Sequence, residues 1–215
     1  LLHGENFDSQ GHFLAGPELE QQYGGAHFHA HTFFLMSALD YSLAAKDQEL
    51  TEFIRKSFEW ARTQGNPTVG FFPEWLRPDY QTAETCQVAD MVALALKLSR
   101  GGVGDYWDDA DRWIRNQFVE NQLTRIDWIE DLAHQMDPTP VELRSLLWNP
   151  DQWQGDWTIP EGMVSSERVA ERNLGGFSGW PTANDWMTNI MHCCTGNGTR
   201  TLYYIWEHIL TAEPD

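Results

Sequence analysis

The first third of the chain carries apolar residues at the spacing of amphipathic helices. A period of 3.6 residues with one apolar side predicts a helix that packs on a core. The two apolar stripes consist of Phe33, Phe34, Met36, Leu39 and Leu43, then Leu50, Phe53, Ile54, Phe58 and Ala61. We therefore expect helices over about 26–46 and 48–64, with Gly65-Asn66-Pro67 ending the second.

Later segments predict helices of two kinds. Residues 88–98 are apolar almost all round, which is typical of a buried helix, whereas 105–121 and 199–210 each carry one apolar side. The remaining predictions are weaker helices over 125–135 and 165–173 and irregular segments over 1–25, 68–81 and 137–162.

The order of these elements indicates the fold class. No segment shows convincing strand alternation, so we predict an all-α chain that forms a single domain over 1–215. Amphipathic helices alternate with a buried one, a pairing that resembles an α/α toroid, in which an outer ring of helices wraps an inner ring. The hydrophobic pattern alone would equally suit a helical bundle.

Charge and composition narrow the classes of partner. The sequence has 14 Lys and Arg residues against 32 Asp and Glu residues, which gives a formal net charge of −18. Nucleic acids and anionic membranes would be repelled, so we expect neither as a partner. The 11 Trp, 6 Tyr and 11 Phe residues suit core packing, and their flat surfaces also suit the binding of carbohydrate.

Cysteine content bears on the compartment. Three cysteines, two of them adjacent, do not form the framework of a disulfide-rich secreted domain. Reduced thiols favour a soluble cytoplasmic protein, and no apolar run is long enough to cross a bilayer. The chain starts at Leu1 without a basic leader. A cleaved leader and a truncation would both give this start, so the compartment stays open.

Two short motifs could carry chemistry if folding brings them together. Glu84-Thr85-Cys86 precedes Cys193-Cys194, and 107 positions separate Cys86 from Cys193. One carboxylate and three thiols are donor types that Zn²⁺ takes in a tetrahedral shell. Residues two apart on a helix point about 200° apart, so Glu84 and Cys86 could share a metal only from a loop or a first helical turn. The buried helix begins near there, so this condition is met.

The adjacent cysteines also diverge in regular structure. Gly196 and Gly198 suggest an irregular backbone that could aim both thiols at one point. Simpler interpretations stay open, because Cys86 could be a small buried apolar residue and the pair could form a strained vicinal disulfide or two inert thiols.

Three alternate histidines and one glutamate are further candidates. His27, His29 and His31 stand at a predicted helix start, where alternate residues point apart. We expect hydrogen bonding to a substrate more than metal chelation, with one or two rings facing a pocket and one exposed. Glu74 lies between aromatic residues and Pro73, where desolvation would raise its pKa and suit a general acid, although a surface carboxylate stays open.

Glu84-Thr85-Cys86 together with Cys193-Cys194 resembles a known family of glycoside hydrolases. The sequence is similar to the zinc-dependent β-L-arabinofuranosidases with a cysteine nucleophile, which carry a Glu-x-Cys motif and a later Cys-Cys pair on an (α/α)₆ barrel. The resemblance spans roughly 26–210 in helix order and is specific at the four metal-binding residues. Family members are longer and carry β-sandwich domains, so it implies that this chain covers a later part of the barrel without its sandwich. The remainder of the barrel, or another chain, would then be a partner.

The resemblance also implies roles for individual residues. The zinc ligands would be Glu84, Cys86, Cys193 and Cys194. Cys193 would be the nucleophile, Glu74 the acid/base, and His29, then His31 and His192, would contact a carbohydrate substrate. Thr195-Gly196-Asn197 departs from the prolines that often follow the family's cysteine pair, and Glu74 lies closer to Glu84 than expected.

These residues imply a retaining hydrolase with two displacements. A zinc-bound thiol is deprotonated, and the thiolate of Cys193 would attack the anomeric carbon while Glu74 protonates the leaving oxygen. Two other interpretations stay open: a non-catalytic domain in which the same four residues hold a structural zinc, and a metal-free thiol hydrolase that uses Cys193 with His192 or a more distant histidine.

Overall fold

The computed structural model describes residues 6–79, 82–128, 131, 169–182, 185–186 and 191–210, with backbone alone for 169–170, 182, 185–186 and 192. Seven α-helices are described: α1 (Pro17–Tyr23), α2 (Phe28–Ala45), α3 (Gln48–Arg62), α4 (Thr85–Arg100), α5 (Trp107–Trp113), α6 (Val169–Asn173) and α7 (His192–Glu207). A π-helical segment, Ile114–Phe118, continues α5. The predicted all-α class is confirmed.

Strands are confined to two-residue pieces within the described ranges. β1 (Ala26–His27) pairs antiparallel with β2 (Trp75–Leu76), and β3 (Pro181–Thr182) pairs antiparallel with β4 (Asp185–Trp186). The chain divides into two compact units, Leu1–Leu123 with Gly175–Asp215, and Thr124–Leu174. All residues discussed below belong to the first unit except α6, which lies in the second. No helix of the described part has the length and hydrophobicity of a membrane span.

Helix α4 lies at the centre of the first unit. It packs against α2, α5 and α7, and it is buried on every side between Thr85 and Leu96, as the continuous apolar sequence predicts. Its neighbour α2 packs in turn against α3, which begins where the side chain of Asp47 accepts a hydrogen bond from the backbone N–H of Leu50 at 3.0 Å. Such an N-cap contributes about 1 kcal/mol to helix stability.

The core between these helices is aromatic and aliphatic. Its largest fully buried members include Phe28, Leu35, Leu39, Ile54, Phe58, Phe72, Met91, Leu94, Leu98 and Trp113. Each such side chain contributes about 1.5–3 kcal/mol when it is removed from water. Gly70 adopts a positive φ of 79° and lies where a Cβ atom would overlap the side chain of Trp113.

Three boundaries differ from the sequence prediction. Residues 1–25 were expected to be irregular, but α1 forms within them, with Pro17 at its start and Gly24 at φ 73° after its end. None of its residues is buried, so it has no apolar stripe from which to predict it. The helix over 105–121 contains the unpredicted π-helical segment, and α7 begins seven positions before the predicted start at 199. The predicted segments 137–162 and most of 125–135 lie outside the described residues.

Candidate metal centre

The starts of α4 and α7 lie close together. Backbone N–H groups of Ala83 and Thr85 donate to the carbonyl oxygens of Pro181 and Gly179, at 3.1 and 3.0 Å. These bonds hold the chain around the start of α4 against the segment that leads to α7. Two motifs that lie far apart in the sequence thereby become neighbours.

Four side chains with metal-binding atoms converge at this point. Their donor atoms lie within 4.8 Å of one another, and they belong to Glu84, Cys86, Cys193 and Cys194, here called the metal cluster. Sγ of Cys194 is 3.3 Å from Sγ of Cys86 and 3.8 Å from Sγ of Cys193. It is 3.7 Å from Oε1 of Glu84. The cluster could therefore hold a metal ion, as its sequence motifs predict.

The spacing of the donor atoms fits a tetrahedral cation. Zinc binds thiolate sulfur at about 2.3 Å and carboxylate oxygen at about 2.0 Å, so a tetrahedral shell has S···S edges of about 3.8 Å and S···O edges of about 3.5 Å. The observed S···S distances of 3.3 and 3.8 Å and the S···O distance of 3.7 Å lie near these values.

Helix ends position the four ligands. Glu84 is the N-cap of α4 in extended conformation, with φ −112° and ψ 131°, and Cys86 lies in the first turn of that helix. This is the arrangement that the sequence requires for two ligands two positions apart. Cys193 and Cys194 lie in the first turn of α7. The irregular backbone expected at Gly196 is wrong, because that residue lies within the regular helix.

Gly198 has a packing reason instead. A Cβ atom at this position would overlap the ring of Phe177, whereas a Cβ atom at Gly196 would meet nothing within 4 Å. The close approach of Phe177 seats α7 against the segment that precedes it. Cys194 also contacts this segment, since its Sγ lies 3.5 Å from the carbonyl oxygen of Gly179.

Without a cation, the surroundings favour protonated thiols. The hydrogen bond that Cys86 donates to Cys194, together with burial and the charge of Glu84, raises the pKa of Cys86 above its ordinary 9.0. Burial, followed by the charge of Cys86, raises the pKa of Cys193 to about 11. A bound divalent cation reverses this preference, since a coordinating thiol loses its proton. A positive charge among the four donor atoms would therefore stabilise the deprotonated thiols.

A histidine lies between two carboxylates beside the metal cluster. Nε2 of His27 is 3.3 Å from Oε2 of Glu84 and 4.0 Å from Oε1 of Glu74. Burial alone would raise the pKa of Glu84, but the hydrogen bond and charge of His27 outweigh burial, and the pKa lies below the ordinary 4.5. His27, Glu74 and Glu84 form a second group whose donor atoms lie within 4.8 Å of one another.

Glu74 borders the metal cluster through this group. Its backbone carbonyl accepts the N–H of Phe28 at 2.9 Å, and its neighbour Trp75 pairs with His27 in the β1–β2 ribbon. The ring of Trp75 stacks on Tyr23 with centroids 4.2 Å apart. The side chain of Glu74 is 12% exposed, so the partly desolvated surroundings predicted for it are present.

His29 faces the metal cluster from α2. Its Nδ1 lies 2.7 Å from Oδ2 of the fully buried Asp90, and its Nε2 lies 3.5 Å from Nδ2 of Asn197. Burial would lower the pKa of His29, but the hydrogen bond and charge of Asp90 outweigh burial and raise it above 6.5. Asp90 also accepts from Thr32 at 3.0 Å and from Arg200 at 2.9 Å.

The other predicted histidines differ from expectation. His31 is buried, stacked on Phe13, and its ring nitrogens lie 2.7 and 3.1 Å from the backbone carbonyl oxygens of His27 and Leu14. These contacts use both ring nitrogens, which leaves neither free for a substrate. None of the three alternate histidines is exposed, contrary to the expectation for one of them. The side chain of His192 lies outside the described residues.

Two residues near the cluster escaped the sequence analysis. Asp90 is the one acid inside the apolar stretch of α4, and an acid in such a place signals a buried partner. Asn197 follows Cys193 by four positions, the spacing of residues on one side of a helix. That second signal depended on placing the start of α7 before the cysteines.

Comparisons with known proteins add no family to this description. No family model, no curated protein and no solved structure matches the chain.

Proposed function

We propose that this chain carries the catalytic centre of a retaining glycoside hydrolase with Cys193 as its nucleophile. The observation that carries the proposal is the convergence of Cys193 with Glu84, Cys86 and Cys194, while Glu74 belongs to an adjoining group that it forms with His27 and the shared Glu84. Cys193 is partly exposed while the other two cysteines are fully buried. The proposed nucleophile is therefore the cysteine that a substrate can reach.

Zinc is the proposed metal. Three thiolates and one carboxylate suit a borderline-soft divalent cation, and the donor spacing supports tetrahedral coordination. When bound, zinc would keep Cys193 deprotonated and oriented and would shield the thiolate from oxidation. Nε2 of His27 lies 3.3 Å from Oε2 of Glu84, and such a neighbour helps to orient the carboxylate as a ligand.

The proposed reaction proceeds in two displacements. The thiolate of Cys193 attacks the anomeric carbon, a C–S bond forms as the glycosidic C–O bond breaks, and Glu74 gives its proton to the leaving oxygen. Glu74 then takes a proton from water, whose oxygen displaces the sulfur and restores the thiolate. Two inversions return the original anomeric configuration. The family resemblance supports arabinofuranosides or related glycosides as substrates.

The proposal extends to the fold. We propose that α2, α3, α4, α5 and α7 form part of an (α/α)₆ barrel, because α2 packs on α3, α4 packs on α5, and α4 is enclosed as an inner helix would be. Exposed aromatic residues offer faces on which further helices would pack. They include Phe33, Phe34 and Tyr41 on α2 and Tyr203 and Trp206 on α7.

The proposal is tested with the purified chain, Cys193→Ser and Cys86→Ser. We expect about one zinc per wild-type chain, hydrolysis of an aryl arabinofuranoside with retention by NMR, and a covalent adduct on Cys193 by mass spectrometry. Cys193→Ser should lose turnover by about 10³-fold or more while circular dichroism stays unchanged. Cys86→Ser should lose zinc. Undiminished turnover in Cys193→Ser, or an inverted product, would contradict the mechanism.

A structural zinc is the second candidate. The observation in its favour is that four protein side chains are placed to fill all four positions of a tetrahedral shell, whereas catalytic zinc sites commonly keep one position open. This candidate predicts a zinc-loaded wild type that hydrolyses none of the arabinofuranosides tested. It also predicts that Cys193→Ser and Cys194→Ser weaken zinc binding alike, with no adduct on either cysteine.

A further inference from the structure

Asn197 links the metal cluster to a buried polar network. Its Nδ2 lies 3.0 Å from Sγ of Cys86 and 3.5 Å from Nε2 of His29. Asn197 lies on the same side of α7 as the cysteine pair, and it reaches across to Cys86 on α4 and His29 on α2. A single amide nitrogen thus stands between a metal-binding sulfur and an imidazole.

The orientation of this amide follows from its two neighbours. The amide nitrogen carries two hydrogens and no acceptor, while the amide oxygen only accepts. A thiolate on Cys86 can only accept, and so can Nε2 of His29 when the ring proton is on Nδ1. Both neighbours therefore face the nitrogen of Asn197, and the opposite orientation would place oxygen against two acceptors.

Asp90 sets the ring proton of His29. It is completely buried, and its two oxygens face the donors of Thr32, Arg200 and His29. A carboxylate that accepts from Arg200 and Thr32 holds the imidazole proton on Nδ1, 2.7 Å away. In the neutral ring, Nε2 then presents its lone pair to Asn197.

We propose that Asn197 is a positioning residue of the metal centre, which donates an N–H···S hydrogen bond to the Cys86 thiolate, and that Asp90 holds it in this orientation through His29. The inference rests on the metal centre of the proposed function and not on the glycosidase reaction. Hydrogen bonds to ligand atoms orient them and tune their basicity, and loss of such a partner costs about 10- to 100-fold in metal affinity.

The test compares zinc affinity and the spectrum of the cobalt-substituted protein. We expect Asn197→Asp to weaken zinc about 10- to 100-fold in competition with a chelator, because a carboxylate turns acceptors toward the thiolate. The thiolate-to-cobalt charge-transfer band should shift, which a purely structural change would not produce. Asn116→Asp is the matched control, since Asn116 is exposed and its side-chain amide donates to the backbone carbonyl of Arg112.

A second variant tests the link through His29. Asp90→Asn offers an amide N–H to Nδ1, which moves the ring proton to Nε2 and opposes the amide of Asn197, so the cobalt band should shift in the same direction. Thr201→Val removes a buried hydroxyl that donates to the carbonyl oxygen of Ala89 and not to Asp90, and it should leave the band in place. Wild-type protein that takes up neither zinc nor cobalt would overturn the metal centre and this inference with it. Wild-type protein that binds zinc, with affinity and band unchanged in Asn197→Asp, would overturn this inference alone.

Discussion

His29 and His31 stand two positions apart on α2, and their surroundings shift their pKa values in opposite directions. The hydrogen bond and charge of Asp90 outweigh burial and raise the pKa of His29 above 6.5. Burial lowers the pKa of His31 below 6.5, against the hydrogen bonds to backbone carbonyls. One ring therefore binds its proton more tightly in the folded state, and the other binds it less tightly.

These shifts predict opposite pH dependences of stability. The proton on His29 stabilises the fold below pH 6.5, and this contribution is lost as the pH rises through the folded pKa. The neutral ring of His31 stabilises the fold above pH 6.5, and this contribution is lost as the pH falls toward the folded pKa. Urea unfolding at about pH 5.5 and about pH 8 should show the free-energy cost of His29→Gln decreasing with pH and that of His31→Gln increasing. Costs that do not vary with pH would contradict both shifts.

Glu74 offers a separate test of acid catalysis. Glu74→Gln keeps the size of the side chain and removes the proton that the leaving oxygen needs. Turnover of a poor leaving group should fall about 10²–10⁴-fold, while an activated aryl leaving group should be affected much less in the first displacement. Glu59→Gln serves as the control, because Glu59 is a carboxylate bonded to Tyr106 and Arg62. This variant should change the turnover of both substrates by the same factor. Equal losses with both leaving groups would contradict the role of Glu74.

Helix α7 carries Cys193 and Cys194, and its position depends on how closely it packs against the neighbouring segment. Two of its glycines differ in this packing. Gly198 lies against the ring of Phe177, whereas Gly196 is exposed. Both occupy the interior of the same helix, so they differ mainly in what surrounds them. The close packing of α7 against Phe177 thus requires a glycine at position 198.

This contrast gives a matched pair of substitutions. Gly198→Ala should destabilise the fold by about 1–3 kcal/mol through overpacking against Phe177, and should weaken metal binding because α7 shifts. Gly196→Ala should stabilise it by about 0.5–1 kcal/mol, since alanine restricts the unfolded chain and favours helix. Chemical denaturation of both variants, with and without chelator, measures these effects. Equal effects of the two substitutions would show that Phe177 does not limit the approach of α7.

The helices show what the sequence could predict and where its signals ended. The pattern over 26–64 located α2 and α3 to within two positions. The predicted apolar stripe of α2 is wrong at Phe33 and Phe34, which are exposed. The predicted start of α7 was too late, because glycines at 196 and 198 are unfavourable inside a helix and indicate irregular backbone. Gly198 is there because the ring of Phe177 leaves no room for a side chain, which the sequence does not reveal. The four ligands could be named from residue type and motif. The hydrogen bonds that link Asn197 to Cys86, and Asp90 to Asn197 through His29, depend on how the helices pack and could not be predicted from the sequence.

The metal cluster lies where two helices of the first unit begin. Its residues come from the starts of α4 and α7, two helices that also pack against each other. A metal ion bound there would join Cys86 and Cys194, which are 108 positions apart in the chain. Closing so long a loop is entropically costly for the unfolded chain, so the ion should favour the folded state strongly.

Metal removal should therefore lower the stability of this unit. Ligand that binds only the folded state adds about 2.7 kcal/mol when its free concentration is 100 times the dissociation constant. A strong chelator should lower the thermal midpoint of the wild type and leave that of Cys86→Ser unchanged, because this variant has already lost the ion. Added zinc should restore the wild-type midpoint. A wild-type thermal midpoint that is unchanged by both chelator and zinc would contradict a metal that links the two helices.

The wide sequence separation of the cluster residues has a consequence for the biosynthesis of the protein. Glu84 and Cys86 leave the ribosome first, and the Cys193-Cys194 pair follows 107 positions after Cys86. At about 5–20 residues per second, this interval lasts about 5–20 s. During that time the nascent chain offers one carboxylate and one thiol, too few donors to close a tetrahedral shell. We therefore predict that a metal is loaded late in maturation, after α7 has been synthesised and has packed on α4.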